Sequence, residues 1–561
     1  MEAIRQFNLR LVDRHWFYRL LEMVPGVATW LFLLSPVILS VFNPLVVAYF
    51  IIAFDLFWLI KSFRLSTNLL RGYSRLYENQ QVDWAERLRD LQDLPGAVRR
   101  YEASLKGILE QHPNAASRLN FGSARNDYLK RLARYKELSE LTDRKQAVID
   151  PRELYNVVII ATYNESREIL EPTIKALLDS DYDPKRLMLV LAYEERGGEK
   201  KAKESIELIE EYGPQFAYAV AIKHPDGLPG EAKVKGANMS YAGRRLTEYI
   251  TEQQIDPENV IVTTLDSDNR PSPNYFSYLS YAYATNVNRV RKSYQPIPMF
   301  LNNIWDVPAP MRIVATGNSF WMIMEAMRPH RLRNFAAHAQ SLKALIETDY
   351  WSVTSIVEDG HQFWRTYFTY DGDHEVVPLF TPVYQDAVLA KGYFKTFRAQ
   401  YVQLRRWAWG ASEFAFVVKN SITNKRIGRL DKLAQIWRLF EGHFSWATSP
   451  LILTFVAWLP LYLNRNFASE DILAHQLPII VSRILTITMM GLLITIFISL
   501  LSLPPKPPRY HRARFITMVL QWALVPVVAI LFGAFAAIDA QTRLMFGRYL
   551  DWRVTEKVTK L

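Results

Sequence analysis

The chain has 561 residues, of which 50% are hydrophobic and 22% charged, so membrane spans and a substantial soluble part fit together in it. The net charge of +11 favours an anionic partner: nucleic acid, an anionic membrane face or a phosphorylated substrate. There are no cysteines, which excludes disulfides, thiolate nucleophiles, zinc–thiolate sites and iron–sulfur clusters.

Residues 1–62 predict a basic amphipathic helix followed by a transmembrane hairpin. Residues 23–60 carry one charge, Asp55, and are interrupted at Asn43-Pro44, which leaves room for two spans of about 20 residues each. Basic residues flank both outer ends, so the positive-inside rule places both ends in the cytoplasm. Residues 63–150 are charge-dense and helical in pattern, and predict a cytosolic connector that lies against the next domain or the membrane surface.

Residues 151–385 alternate buried strands with amphipathic helices, the pattern of a parallel α/β sheet. Such sheets bind their ligands at the carboxyl ends of the strands. Three predicted strand ends carry polar clusters there: residues 162–165, 193–195 and 266–268. The strands themselves are expected at residues 157–161, 187–192, 216–222, 260–265 and 379–382.

The sequence Asp266-Ser267-Asp268 follows the strand at 260–265, and Pro271 prevents the strand from continuing. Side chains two positions apart on an extended strand share a face. Asp266 and Asp268 are therefore placed to bind one divalent cation or one nucleotide. The alternative is an acidic turn with no ligand.

Three later segments add candidate site residues. Glu358-Asp359 opens a predicted helix, where the helix dipole alone also favours acidic residues. Residues 312–320 predict a strand that runs into a turn at Gly317-Asn318. Residues 386–442 predict amphipathic interface helices that contain the sequence Q-L-R-R-W at 403–407, which a basic–aromatic membrane belt would also explain.

Residues 443–561 predict a second transmembrane region, with spans at 444–464, 484–503 and 515–538. Three spans place the C-terminal tail outside the cytoplasm, whereas its basic residues Arg543, Arg548, Arg553 and Lys557 favour the inside. A re-entrant segment around Pro526 or an intramembrane turn within residues 430–444 would resolve this conflict. The sequence leaves the number of crossings open.

In this order and spacing, T-Y-N-E at 162–165, D-S-D, E-D and Q-L-R-R-W resemble one family. It is the membrane-integrated, inverting glycosyltransferases of family two, particularly the processive cellulose and hyaluronan synthase type. The resemblance covers about residues 156–410. It implies a GT-A fold, an α/β, Rossmann-like and mostly parallel sheet inserted between N- and C-terminal transmembrane helices. It also implies a cytoplasmic catalytic domain that transfers sugar from a nucleotide-sugar donor, a UDP-sugar, to a growing polysaccharide.

Carried onto matching positions, the resemblance implies that Asp268, helped by Asp266, holds Mg²⁺ or Mn²⁺ against the donor diphosphate. Asp266 facing the ribose or the sugar instead is the alternative. Asp359 is the implied general base, supported by Glu358. The other implied residues are Thr162, Tyr163, Glu165, Glu194 and Lys235 around the donor, and Gly317, Asn318, Gln403, Arg406 and Trp407 around the acceptor or as a lid.

The sequence departs from the family pattern at two places. Glu194-Glu195 stands where an aspartate is usual, and Arg405-Arg406 leaves open which arginine faces the nucleotide.

Two other functions fit the sequence: a single transfer to a polyprenyl phosphate or another lipid, and a non-catalytic scaffold or glycan-binding relative. The Q-x-x-R-W segment and the two intact acidic motifs favour the processive enzyme. The expected partners are the donor, a glycan or lipid-linked acceptor and membrane lipid, but not nucleic acid, because the basic residues concentrate at membrane edges.

Overall fold

A computed structural model describes residues 15–117, 122–144 and 147–550 of the chain. Most of the predicted N-terminal amphipathic helix lies outside these residues, as do the tail positions Arg553 and Lys557. Within them, 5 helical segments are long and apolar enough to cross a membrane: His15–Phe42, Pro44–Gln80, Arg429–Leu463, Ile472–Leu501 and Arg514–Met545. These segments are consistent with a membrane-associated protein.

The first two segments form the predicted hairpin. Helix α1 (His15–Phe42) and helix α2 (Pro44–Gln80) are joined at Asn43. Pro44 occupies the first turn of α2, where a missing N–H leaves no helix hydrogen bond unmade. Helix α2 continues to Gln80, so the boundary expected at residue 62 falls inside a continuous helix.

The connector contains α3 (Trp84–Asp90), α4 (Leu94–Gln111) and α5 (Ser123–Asp143). It packs against the sheet domain. The Trp84 ring stacks on Tyr278 with centroids 3.9 Å apart, and the buried Arg134 donates to Tyr281 Oη at 2.7 Å. The connector was predicted to lie against the next domain or the membrane surface, and these contacts are with the next domain.

The sheet has 8 strands in the order β3-β2-β1-β4-β7-β6-β8-β5. The predicted strands are present with slightly different ends. The strands are β1 (Tyr155–Thr162), β2 (Leu187–Glu194), β3 (Tyr218–His224), β4 (Val260–Asp266), β5 (Arg270–Pro271), β6 (Lys292–Met299), β7 (Ala339–Ser341) and β8 (Glu375–Tyr384).

One half of the sheet is parallel and the other is mixed. Strands β3, β2, β1 and β4 run parallel, whereas β7 is antiparallel to both β4 and β6. The expectation of a mostly parallel sheet is therefore correct only for the first half. The prediction missed β6 because prolines interrupt its apolar pattern, and it missed β7 because that strand has 3 residues.

Alternate residues of β1 supply two cores, one on each face of the sheet. Val157 and Ile159 pack on the face covered by Met239, whereas Val158 and Ile160 pack on the face covered by Ile174. Because both faces are buried, these strands are apolar at nearly every position. The helices of this region are α6 (Arg167–Leu178), α7 (Glu199–Tyr212), α8 (Lys235–Glu252), α9 (Tyr275–Thr285), α10 (Ala309–Ala326), α11 (Leu342–Glu347) and α12 (Glu358–Thr369).

The strand predicted at residues 312–320 is wrong, because these residues lie in α10. The β-branched pair Ile313-Val314 suggested a strand, yet Pro310 occupies the first turn of a helix, where it is well tolerated. The buried side chains of α10 recur every three or four positions, as at Ala315, Ser319 and Ile323, which is a helical period.

The C-terminal part is helical throughout. Its long helix α15 forms most of the first C-terminal candidate span, and two shorter helices precede it within the predicted interface region 386–442. The helices are α13 (Tyr393–Ala408), α14 (Glu413–Thr423), α15 (Arg429–Phe455), α16 (Leu459–Leu463), α17 (Arg465–Glu470), α18 (Ile472–Thr488), α19 (Met490–Leu501), α20 (Arg514–Leu520), α21 (Val525–Val528) and α22 (Phe535–Met545).

Candidate active site

A buried lysine joins the two acidic motifs. Lys235, the first residue of α8, places Nζ 2.7 Å from Asp266 Oδ1 and 3.6 Å from Glu358 Oε1. Burial by itself lowers the pKa of Lys235, but the carboxylates of Asp266, Asp359 and Glu358 outweigh it and raise the pKa above its usual value. The ammonium is therefore charged at neutral pH, between the end of β4 and the start of α12.

Gly236 makes this close approach possible. A Cβ at this position would lie 2.2 Å from the Ser352 carbonyl oxygen and 3.2 Å from Glu358 Cβ. Any larger residue would push α8 away from the loop that leads into α12. The glycine beside Lys235 thus brings the lysine within reach of both acidic motifs.

Asp268 is held by the backbone of the chain segment that follows β8. Its side chain is buried, and its Oδ2 accepts a hydrogen bond of 3.0 Å from the Asp386 backbone N–H. Its own carbonyl oxygen accepts a hydrogen bond of 3.1 Å from Asn302 Nδ2. The end of β4 is therefore tied to the ends of both β6 and β8.

The helix-start pair has a different environment. Glu358 is buried, and burial followed by the charge of Asp359 raises its pKa, which the nearby cations Lys235 and Arg406 only partly offset. Glu358 therefore holds a proton more readily than an ordinary glutamate.

Asp359 faces His338, a residue that the sequence analysis did not single out. His338 Nδ1 lies 3.5 Å from Asp359 Oδ1, and this oxygen is buried and accepts no hydrogen bond from the described residues. Trp351 Nε1–H donates to His338 Nε2 at 3.4 Å, so the proton of the neutral ring is on Nδ1, which also contacts the Phe335 carbonyl at 2.9 Å. Burial lowers the pKa of His338, although Asp359 opposes this. A neutral imidazole thus positions the carboxylate without neutralising it.

The polar residues after β1 stabilise their own turn. Glu165 Oε2 accepts hydrogen bonds from the Tyr163 backbone N–H at 2.8 Å and from Thr162 Oγ1 at 3.0 Å. The Tyr163 ring lies under the Arg196 guanidinium, 4.5 Å from its centroid. Thr162 and Tyr163 lie where β1 ends, and the Glu165 carboxylate stabilises the loop that follows.

The structure separates the two glutamates after β2. Glu194 is buried and forms an ion pair with Arg196, whereas Glu195 is exposed and pairs with Lys223 at 3.0 Å. Glu194 is therefore the one at the strand end, together with Tyr163, and Glu195 points to the surface.

The two adjacent arginines of α13 also take different directions. Arg405 Nη1 forms an ion pair of 2.8 Å with Asp539 in the last apolar segment. The charge of Arg406 instead acts on Glu358, where it opposes the rise of that pKa. Trp407 packs against Phe300 at 6.2 Å, and Phe300 follows the end of β6. Gln403 Oε1 accepts a hydrogen bond of 3.0 Å from Gln400 on the same helix.

Gly317 and Asn318 do not form the predicted turn, since both lie inside α10. The neighbouring Ser319 Oγ accepts a hydrogen bond of 3.1 Å from the Phe300 backbone N–H, which joins this helix to the segment that contacts Trp407. Gly317 is exposed, and a Cβ there would meet nothing within 4 Å, so the position does not require glycine for packing.

A divalent cation at this site would need ligands from the substrate and water in addition to those of the chain. Within residues 15–117, 122–144 and 147–550, no three His, Asp or Glu side chains are grouped to hold a metal ion. Mg²⁺, however, is commonly bound by one or two carboxylates together with substrate phosphates and water. Asp268, fixed by the Asp386 amide, and Asp266 beside it fit such a shared site.

Sequence reasoning missed His338, Asp386, Asn302 and Arg196. Asp386 and Asn302 follow strand ends, so the rule that polar residues after strands form the site would have found Asp386 after the predicted strand at 379–382. His338 had no signal, because it precedes a strand of 3 residues that the pattern does not reveal.

Comparisons with known proteins give weak structural similarities. No protein-family model matches the chain, and no curated protein does. Among solved structures, a mannosyltransferase from Pyrobaculum calidifontis, in complex with GDP-mannose and Mn²⁺, is 14% identical with a TM-score of 0.36, over 67% of this chain and 86% of that one. TarS of S. aureus (residues 1–349) is 14% identical with a TM-score of 0.33, over 71% and 93%. GalNAc-T7, with UDP, GalNAc and Mn²⁺, is 10% identical with a TM-score of 0.28, over 57% and 58%. TM-scores this low do not assign the chain to a family.

Proposed function

We propose that this protein is a membrane-embedded glycosyltransferase with a GT-A-like catalytic domain. Its substrate is a nucleotide sugar, and its product is an elongated polysaccharide. One observation carries the proposal: the buried Lys235 joins Asp266 of the strand-end motif to Glu358 of the helix-start motif. A site with a charged lysine, a fixed carboxylate pair and a proton-accepting pair suits transfer from a diphosphate leaving group.

Asp359 is the proposed general base. Its side chain is 21% exposed, so the carboxylate can meet the proton of an acceptor hydroxyl. As that proton moves, the acceptor oxygen forms a bond to the anomeric carbon, and the bond from this carbon to the diphosphate oxygen breaks. A single displacement of this kind inverts the anomeric configuration. A correctly placed base contributes about 10²–10⁴-fold to the rate.

The donor is held on the opposite side of the cluster. Lys235 and Arg406 supply positive charge for the diphosphate, and an arginine can donate two hydrogen bonds to a phosphate at once. Asp268 and Asp266 would hold Mg²⁺ or Mn²⁺, which offsets the charge that develops on the departing diphosphate. Thr162, Tyr163, Glu194 and the Glu165-stabilised turn line the proposed nucleotide side.

The acceptor is proposed to enter beneath α13. Trp407 offers a flat apolar face for a sugar ring, and Gln403 lies one turn before it on the same helix. The helices that flank the catalytic part on both sides suit a product that crosses the membrane. We place the catalytic domain in the cytoplasm on the basis of the positive charges around it.

The decisive experiment is transfer by purified protein in detergent. The protein is incubated with a panel of radiolabelled nucleotide sugars, with Mg²⁺, Mn²⁺ or a chelator, and the product is sized. We expect one donor to give a long product in the presence of metal. Absence of transfer from every donor in the panel would count against the enzyme, and a product with one added sugar would exclude processivity.

The metal assignment is tested separately by Asp268→Asn. We expect this variant to lose the metal-dependent part of donor binding, measured by equilibrium dialysis with and without chelator. The matched control is Asp226→Asn, which changes an exposed aspartate that pairs with Lys233 at 3.1 Å. Metal-dependent binding that persists in Asp268→Asn would show that the ion is held elsewhere.

A further inference from the structure

The last apolar segment, residues 514–545, has contacts that a membrane-crossing helix would not make. It comprises α20, a 3-10 turn at Gln521–Leu524, α21, a π-helical stretch at Ala529–Ala534 and α22. Its 32 residues would extend about 48 Å as a straight helix, which is enough to cross a bilayer. Length and composition therefore predict a fifth span.

The start of this segment contacts the sheet domain. Arg514 Nη2 donates to the Trp305 carbonyl oxygen at 3.1 Å, and the Phe515 ring packs edge-on against the Trp305 ring at 5.4 Å. About two turns after Arg514, Gln521 Oε1 accepts a hydrogen bond of 2.6 Å from the buried Arg312. Trp305 lies between β6 and α10, and Arg312 lies in the first turn of α10, on the side of the molecule that carries the candidate active site.

The end of the segment contacts the same side. Asp539 forms an ion pair with Arg405 of α13, the helix that carries Arg406 and Trp407, and the Phe535 carbonyl oxygen accepts from Tyr401 Oη at 3.3 Å. At Met545 the carbonyl oxygen accepts a hydrogen bond of 2.6 Å from Arg19, near the start of α1. Both ends of residues 514–545 are thus attached at the level of the catalytic domain.

The other four candidate spans have two distinct ends. At one end, Asn464 Nδ2 donates to the Val41 carbonyl oxygen at 3.0 Å, which joins the turn after α16 to the turn after α1. At the other end, Glu441 in α15 pairs with Lys61 in α2 at 3.0 Å and with Arg331 of the sheet domain at 2.9 Å. The ends of residues 514–545 both lie with the second group.

The segment is also two-sided. Buried residues such as Trp522 and Ala536 face the protein. Six of its exposed large apolar residues follow one another at intervals of three or four positions, which is the spacing of a single stripe on a helix surface. They are Ile516, Leu520, Leu524, Val527, Leu531 and Phe535, and the exposed Phe515 and Val519 adjoin the start of this stripe. Arginines stand at both ends of the stripe, at 512, 514 and 543, as in helices that lie flat in a membrane interface.

We propose that residues 514–545 do not cross the membrane but lie in the plane of the leaflet on the catalytic side, with the apolar stripe seated among lipid acyl chains. The four other segments then cross, so the N- and C-terminal ends are on the same side. This arrangement accounts for the basic tail that three C-terminal spans could not place. The inference does not depend on the proposed function.

The natural chain has no cysteine, so single cysteines report their location without a background. In sealed, oriented membrane vesicles, a membrane-impermeant maleimide is applied to Arg548→Cys, Lys203→Cys and Ser469→Cys. Lys203 marks the catalytic side, and Ser469 marks the turn between the third and fourth segments. We expect Arg548→Cys to be labelled from the same side as Lys203→Cys and protected where Ser469→Cys is labelled. Labelling of Arg548→Cys together with Ser469→Cys, or from both sides, would overturn the proposal.

A depth measurement tests the same inference along the helix. Nitroxide labels at Ile516→Cys, Leu524→Cys and Phe535→Cys should show the same shallow depth, with high collision rates for oxygen. Labels at Leu45→Cys and Phe57→Cys of α2 provide the control, since depth should vary along a crossing helix. A depth profile at 516–535 that passes through the bilayer centre would contradict the proposal. Low collision rates for both oxygen and a water-soluble nickel complex would show that a second copy of the chain, and not lipid, covers the stripe.

Discussion

Asp266 and Asp268 end a strand, whereas Glu358 and Asp359 begin a helix, and the protein treats the two acidic pairs differently. The strand-end pair receives a lysine at 2.7 Å and a backbone N–H at 3.0 Å, both of which stabilise negative charge. The helix-start pair is crowded: burial and the charge of Asp359 raise the pKa of Glu358, and His338 Nδ1 lies 3.5 Å from Asp359 Oδ1. The first pair is therefore suited to contact cations, and Glu358 of the second pair to hold a proton.

The largest effect is expected from Asp359→Asn. If this carboxylate accepts the acceptor proton, the amide cannot, and the transfer rate should fall about 10²–10⁴-fold. Donor binding, which depends on the other pair, should remain within about twofold. Single-turnover transfer and equilibrium donor binding are measured on the same preparation. Asp349→Asn, on an exposed aspartate paired with Arg244, is the control, and equal losses of binding and transfer in Asp359→Asn would contradict the division of roles.

Removal of the Lys235 ammonium, which contacts both acidic pairs, should destabilise the protein. Lys235→Met leaves Asp266 and Glu358 without their common partner, and we expect a loss of about 3 kcal/mol of stability, the low end for a broken buried ion pair. The Asp266 side chain is 36% exposed, which limits the cost. Thermal unfolding in detergent measures the loss. Lys233→Met removes an exposed ion pair and should cost less than about 1 kcal/mol, so equal effects would show that Lys235 is not the bridge.

The raised pKa of Glu358 predicts a pH-dependent stability. A carboxyl whose pKa is higher in the folded than in the unfolded protein binds more protons when folded, so its contribution to stability decreases as the pH rises above about 4.3. Glu358→Gln removes this dependence. Its melting temperature relative to the wild type should therefore increase between pH 5 and pH 8, by an equivalent of about 1–2 kcal/mol.

The control for this pH series is a carboxyl whose pKa is shifted in the opposite direction. Glu195 is paired with Lys223, and that hydrogen bond lowers its pKa, so any stability that it contributes is present at higher pH and is lost on acidification. Glu195→Gln should therefore not gain stability relative to the wild type as the pH rises. A Glu358→Gln curve parallel to that of the wild type would show that Glu358 is not strained in the folded protein.

The smallest effect is expected at His338. His338→Leu removes the N–H that faces Asp359, and we expect a loss of about tenfold in kcat/KM, or about 1.4 kcal/mol. Because a general base must be ionised to act, a change in the rate profile should appear on its acidic limb. His338→Gln, which keeps an N–H donor, should restore part of the rate. A rate loss with an unchanged pH profile would mean that His338 only fills space in the core.

How much the sequence revealed depended on the period and length of each element. Strands β1 to β4 were predicted because their apolar runs are continuous and bounded by turn residues. Strand β6, with prolines at 296 and 298, and β7, with 3 residues, lacked that pattern, and α10 was mistaken for a strand because β-branched residues outweighed its helical spacing. The two acidic motifs were found, but not the histidine beside one of them.

The sequence by itself determined which residue types are available: apolar segments for a membrane, acidic residues after strands, and Arg405-Arg406-Trp407 on one helix. Only the tertiary structure decided what each of two neighbours contacts: Glu194 is buried beside Arg196 while Glu195 pairs with Lys223, and Arg405 pairs with Asp539. The physical reason is that local pattern sets periodicity, whereas direction depends on contacts between residues far apart in the chain. Lys235 reaches Glu358 because Gly236 allows two distant helices to approach.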